Sequence, residues 1–150
     1  MVCNDMNISF RILITLAVLA VAGHLFAGDG LVVDDAWIRY LPGEGPMAGY
    51  FTLRNESEET RTLVGASSPR FAMVHLHRTI QRDGMSSMAP VDAVPLPAHG
   101  EIAFEPGGYH LMLMQRKGDL SVGDEVPVAL EFGDGSVRQV RFTVRPAWQE

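Results

Sequence analysis

The chain has 150 residues, which is the length of one domain, and its net charge of −6 includes no basic run or stripe. This charge distribution disfavours nucleic-acid binding, because affinity for phosphate backbones depends on clustered Lys and Arg. The single cysteine, Cys3, precedes an apolar segment that we expect to be removed. The mature chain then has no thiol for a disulfide, a thiolate metal site or a cysteine nucleophile.

The first predicted element is an export signal. The apolar run 12–22 follows Arg11, carries no charge, and is shorter than the roughly 20 residues that a membrane-spanning helix needs. Such a run is typical of the core of a signal peptide. We therefore predict a signal peptide over residues 1–27, cleaved near residue 22 or 27, and a mature exported domain over residues 28–150. The positive charge before the run is weak, which leaves an uncut membrane anchor as the alternative.

From residue 31 onward, short β-type runs alternate with Gly, Pro, Asn and Asp, and no stretch keeps the period of an amphipathic helix. The predicted strands are 31–41, 47–55, 62–66, 71–82, 85–91, 101–105, 109–114, 126–132 and 137–144. Many short strands at this spacing predict an all-β fold, an antiparallel Greek-key sandwich or barrel.

The turn after strand 71–82 predicts a register. Asp83 and Gly84 both tolerate the positive φ of a two-residue type I′ turn. Such a turn sets three cross-strand pairs, which are Arg82 with Met85, Thr79 with Met88, and His77 with Pro90. Met88 then becomes a diagonal neighbour of His77 on the same face, whereas Met85 falls on the opposite face.

Strand 109–114 alternates strictly between two kinds of side chain. One face carries Tyr109, Leu111 and Leu113, and the other carries His110, Met112 and Met114. The aliphatic face is the natural core face, so the imidazole and the two thioethers are expected to point away from the core. Strand 71–82 repeats this arrangement, with His75 and His77 opposite the aliphatic face.

Two donor pairs result, His77 with Met88 and His110 with a methionine of its own strand. Thioether sulfur is soft and neutral, imidazole is borderline, and the set has no carboxylate or thiolate. It therefore favours Cu(I) over Zn(II), Mg(II) and Ca(II). The charge of the ion would be uncompensated, so we expect a shallow, surface-accessible site. Periodicity does not choose between Met112 and Met114. Further alternative ligands are His75 and Met85.

At these positions the sequence resembles the PCuAC family of periplasmic copper chaperones. The mark of that family is a His, ten residues, a Met, twenty-one residues and then His-x-Met, and this chain has His77, Met88, His110 and Met112 at those spacings. The resemblance extends through segments 36–39, 48–55, 107–114 and 123–127, and so covers nearly all of the predicted mature chain.

The resemblance implies a cupredoxin-like fold and a metallochaperone, not an enzyme. It implies that His77, Met88, His110 and Met112 hold one Cu(I), which selects Met112 over Met114. The implied recipient is the copper A centre in subunit II of cytochrome c oxidase, and other implied partners are periplasmic copper carriers. We expect a monomer that is not inserted in the membrane after signal cleavage. The His- and Met-rich tail of some family members is absent, so no second Cu(II) site is expected.

Three alternatives stay open at this point. The first is a general periplasmic protein of copper binding and homeostasis. The second is an electron-transfer cupredoxin, although blue-copper sites use a cysteine thiolate that the mature chain lacks. The third is a metal-free interaction module in which the His and Met side chains form a protein-binding patch.

Overall fold

The computed structural model describes residues 30–148, and these residues form ten strands and no helix. The strands are β1 (Leu31–Tyr40), β2 (Met47–Asn55), β3 (Arg61–Ser67), β4 (Phe71–Arg82), β5 (Met85–Pro90), β6 (Val94–Leu96), β7 (Glu101–Phe104), β8 (Tyr109–Arg116), β9 (Glu125–Phe132) and β10 (Val137–Pro146). The predicted signal peptide, residues 1–27, lies outside the described residues. Within residues 30–148, no helix is long and apolar enough to cross a membrane.

Every predicted strand is present, with ends within two residues of those expected, and the all-β fold class is confirmed. The short strand β6, which contains Pro95, was not predicted from the sequence. Proline cannot donate a ladder hydrogen bond and is tolerated mainly on edge strands. Since β6 is the last strand of the sheet, beside β3, this residue does not interrupt the pairing.

The strands form one ten-stranded sheet in the order β5-β4-β8-β7-β2-β1-β10-β9-β3-β6, and β8 also pairs with β2. Neighbours in this order are often far apart in the chain, as in a Greek key. Most pairs are antiparallel, as expected for the cupredoxin-like fold. The pairings of β1 with β10 and of β7 with β8 are parallel, which the sequence analysis did not predict.

One face of the sheet encloses the core. Leu111 and Leu113 of β8 belong to the same hydrophobic cluster as Leu63 of β3 and Leu130 of β9, from the opposite half of the strand order. The sheet therefore curls over a single core, and burial of these aliphatic side chains is the main source of its stability. The other face of β4 and β8 is left for side chains that do not serve packing.

Asn55, at the end of β2, is a buried polar residue. Its Nδ2 donates to the backbone carbonyls of Glu59 (2.6 Å), Pro97 (3.0 Å) and Leu96 (3.2 Å), and its Oδ1 accepts from the backbone N–H of Ser57 (3.1 Å). Buried polar groups are usually satisfied in this way. The side chain thus ties the β2–β3 turn to the segment between β6 and β7.

Candidate metal site

The β4–β5 hairpin has the predicted register. Asp83 and Gly84 take positive φ values of 54° and 76°. The observed pairs are Arg82 with Met85, Thr79 with Met88, and His77 with Pro90. Met88 is therefore a diagonal neighbour of His77 and is 59% exposed, whereas Met85, on the other face, is 74% exposed. The turn chemistry alone was enough to place Met88 beside β4.

Strands β4 and β8 pair through their donor residues. The outward-facing pairs are His77 with His110, His75 with Met112, and Met73 with Met114. The intervening pairs are Val74 with Leu113 and Leu76 with Leu111, whose leucines are buried in the core. Strand parity predicted the faces correctly. The direct pairing of the two histidines was not predicted, because no short turn links β4 to β8 and the sequence therefore contains no signal for their register.

The two paired imidazoles are close enough to share one metal ion. Their ring centroids are 5.8 Å apart, and the ring planes are inclined by 53°. An ion about 2 Å from an imidazole nitrogen lies roughly 3.2 Å from the ring centroid, so two rings on one ion have centroids at most about 6.4 Å apart. The observed separation of His77 and His110 lies within that limit.

His110 is oriented by the backbone of the preceding turn. Its Nδ1 lies 3.2 Å from the carbonyl oxygen of Gly108, and its Nε2 is buried without a hydrogen-bond partner among the described residues. A hydrogen bond from Nδ1–H to a carbonyl fixes the tautomer and leaves the Nε2 lone pair for a metal. The role of Gly108 in orienting His110 was not predicted from the sequence and follows from the structure.

The site is deeper on one side than the sequence analysis expected. His110 is only 3% exposed, so the expectation of a shallow, surface-accessible site is wrong for this residue. The physical reason is that β8 is an interior strand, with β4 on one side and β7 and β2 on the other, and that the turn ending at Gly108 folds back beside His110. On the opposite side, Met88 belongs to the edge strand β5 and is exposed to solvent.

The surroundings of His77 favour its neutral form. Its Nδ1 is buried and has no hydrogen-bond partner within residues 30–148. Burial, followed by the charges of His110 and His75, lowers the pKa of His77 below its ordinary value of 6.5. An imidazole must be neutral to bind a metal, so these surroundings keep a coordinating nitrogen available near neutral pH.

The two candidate methionines of β8, Met112 and Met114, lie at different distances from His110. Met112 is half-buried on the interior strand β8, where it lies between His75 on β4 and Ala48 on β2. Met112 is one outward-facing pair away from His110, about 7 Å along the strand, whereas Met114 is two pairs away, about 13 Å. The register thus supports Met112 over Met114 as the nearer thioether.

Packing does not explain these thioethers. Among the described side chains, the hydrophobic core and the residues packed against it include none of Met73, Met88, Met112 and Met114. No group of three or more His, Cys, Asp or Glu side chains converges within residues 30–148. The donors gathered on this face are therefore imidazole nitrogen and thioether sulfur, which together are typical ligands of a soft metal ion.

The fold and this donor set define a class, a small β-domain with imidazole and thioether donors gathered on one face of its sheet. The family model described as "Putative lipoprotein LpqE-like" matches residues 31–144. The chain is 33% identical over 118 residues to "Putative lipoprotein Lxx21020" of Leifsonia xyli subsp. xyli, which covers 78% of this chain and 70% of that protein. The chain belongs to the LpqE-like family, which is the PCuAC family.

Solved structures show the same architecture. The copper-bound PCuAC domain from PmoF2 superposes with a TM-score of 0.66 at 23% identity, over 78% of this chain and 93% of that one. The solution structure of CuI-DR1885 from Deinococcus radiodurans gives a TM-score of 0.63 at 34% identity, over 76% of each chain. The family is one of copper-binding and copper-chaperone domains and is not an enzyme family.

Proposed function

We propose that this protein is a periplasmic metallochaperone that carries one Cu(I) and is not itself an enzyme. The proposed ligands are His77, Met88, His110 and Met112. The observation that carries the proposal is the direct pairing of His77 with His110, each with a buried ring nitrogen that lacks a hydrogen-bond partner among the described residues. The thioethers of Met88 and Met112 flank this pair.

The chemistry of these four donors supports Cu(I) as the cargo. All four are neutral when the imidazoles are deprotonated, and thioethers bind soft monovalent copper far better than they bind hard cations. A relative that is 34% identical has been solved in a form named CuI-DR1885. The oxidation state in the present protein is part of the proposal, and it rests on the donor set.

The uneven exposure of the ligands supports a carrier role. His110 is 3% exposed and Met88 is 59% exposed. A partner protein can therefore replace Met88 from the outside while the two histidines still hold the ion, so that the metal is never released into solution. We propose the copper A centre in subunit II of cytochrome c oxidase as recipient and other periplasmic carriers as exchange partners, with the protein acting as a monomer. The predicted signal peptide and the lipoprotein names of relatives support an exported location.

Anaerobic competition with a chromogenic Cu(I) chelator tests the site. We expect the wild-type protein to withdraw one equivalent of Cu(I), and the His77→Ala, Met112→Leu double variant to withdraw much less. The matched control is Met85→Leu, because Met85 is an exposed methionine on the other face of the same hairpin. Equal binding by the wild type and the double variant would contradict the site.

The delivery role needs a separate experiment. The Cu(I)-loaded protein is mixed with an apo copper A domain, the two proteins are separated, and copper is measured in each. We expect the metal to move to the oxidase domain. If Cu(I) binds tightly at the proposed ligands but stays with this protein, delivery to the oxidase is wrong, and a role in general copper homeostasis becomes the better proposal.

A further inference from the structure

The outward face of β4 and β8 carries more soft donors than one copper site needs. Three successive cross-strand pairs lie on it, namely His77 with His110, His75 with Met112, and Met73 with Met114. The proposed site uses the first pair and Met112 from the second. His75, Met73 and Met114 are left without a role.

These three side chains can reach a common point. Directly opposed residues of an antiparallel pair have Cβ atoms about 4.5–5.5 Å apart, which places Met73 beside Met114. His75 is about 7 Å from Met73 along the same face of β4. A methionine side chain has three rotatable bonds and adapts easily to such a span. Two thioethers and one imidazole can therefore converge on one ion, with Met112 as the neighbour shared with the first site.

Their surroundings fit a binding role better than a packing role. Met73 is 39% exposed, His75 is exposed, and Met114 is half-buried. In the part of the chain that the structure describes, neither methionine belongs to the core or packs against it. Exposed sheet positions usually carry polar or β-branched residues, so two methionines opposite each other beside a histidine are an unusual use of such a surface.

We propose that His75, Met73 and Met114 form a second, weaker Cu(I) position that adjoins the first through Met112. This proposal builds on the proposed function, since it assumes that the first site is the stronger one. None of its three donors is a carboxylate or a thiolate. The position therefore binds the same soft monovalent ion as the first site and does not select for harder cations. Binding replaces water on the ion by thioether and imidazole and involves no change of oxidation state.

Methyl NMR of the protein labelled with 13C at its methionine methyl groups tests this position under anaerobic conditions. We expect the first equivalent of Cu(I) to shift the methyl signals of Met88 and Met112. We expect the second equivalent to shift those of Met73 and Met114 and to shift Met112 again. Met47, which is buried in the core, serves as an internal reference whose signal stays in place.

The His75→Ala variant separates binding from nonspecific copper contact. It should keep the shifts of the first equivalent and require at least about tenfold more free Cu(I) for the shifts of Met73 and Met114. Unmoved Met73 and Met114 signals at two equivalents would overturn the second position, and so would shifts that are the same with and without His75. Failure of the first site has a different signature, in which the first equivalent leaves Met88 and Met112 unshifted.

Discussion

Leu111 and Met112 are adjacent in β8 but lie on opposite faces of the sheet, so we expect substitution of Leu111 to lower stability and substitution of Met112 to lower Cu(I) affinity. Leu111 is 0% exposed and lies in the core, opposite Leu76 on β4 and Gly49 on β2. A Leu→Ala change at such a position costs about 2–5 kcal/mol, depending on how far the neighbours fill the cavity. Gly49 has no side chain that could move into the space, so we expect Leu111→Ala to cost about 3–4 kcal/mol.

This cost can be measured as a change in Tm. For a domain of about this size, 1 kcal/mol lowers Tm by roughly 4 °C, so Leu111→Ala should melt about 12–16 °C below the wild type in thermal unfolding followed by circular dichroism. Met112→Leu conserves volume at a half-buried position outside the core and should cost less than about 1 kcal/mol. That variant instead loses a proposed ligand, so its Cu(I) affinity should fall at least about tenfold, or about 1.4 kcal/mol.

The Cu(I) competition assay on folded Leu111→Ala, at a temperature well below its Tm, completes the comparison. Its affinity should stay within a few-fold of the wild type, because no donor has been removed. The contrary outcome is that Leu111→Ala weakens Cu(I) binding as much as Met112→Leu does and leaves the Tm of the apo-protein unchanged. That result would mean that the assignment of the two faces of β8 is reversed.

Two further predictions concern His77 and the hairpin turn. Because the folded state lowers the pKa of His77, the unfolded chain binds that proton more readily, so the free energy of unfolding of the apo-protein should decrease as the pH falls below about 6.5. Urea titrations at pH 7.5 and 5.5 should show a smaller decrease for His77→Gln, and an equal decrease would be inconsistent with this reasoning. Insertion of one Gly after Gly84 should move Met88 to the other face and weaken Cu(I) binding as much as Met88→Leu does, whereas insertion of two should restore it. Chelator competition measures the Cu(I) affinity of both insertion variants. Full binding after the single insertion would contradict the idea that the two-residue turn places Met88 beside His77.

Most of the fold could be predicted from the sequence because its signals are local. Turn residues such as Asp83 and Gly84 mark strand ends, and alternation within 109–114 identifies the core face. The hairpin turn also predicted correctly that Met88 pairs with Thr79. Local reasoning missed β6, where Pro95 weakens the strand pattern, and the parallel pairing of β1 with β10, which joins residues at opposite ends of the domain.

The candidate site could be predicted only in halves. His77 with Met88 and His110 with Met112 each follow from one strand or one hairpin, but the pairing of β4 with β8 joins segments separated by β5, β6 and β7. No local rule sets that register. The spacing typical of the family linked the two halves in the sequence analysis. The burial of His110 likewise depends on the interior position of β8, which becomes visible only once the strand order is known.

The separation of donors and core between the two faces of β4 and β8 also bears on how the empty protein behaves. In small zinc domains, the metal is part of the folding energy, and the chain unfolds when the metal leaves. Here, Leu76, Leu111 and Leu113 pack in the core on one side of the two strands, and the proposed ligands His77, His110 and Met112 lie on the other. The proposed carrier role requires the protein to stay folded after it has released its ion. We expect this sheet to do so, because the residues that maintain its shape are not the proposed ligands.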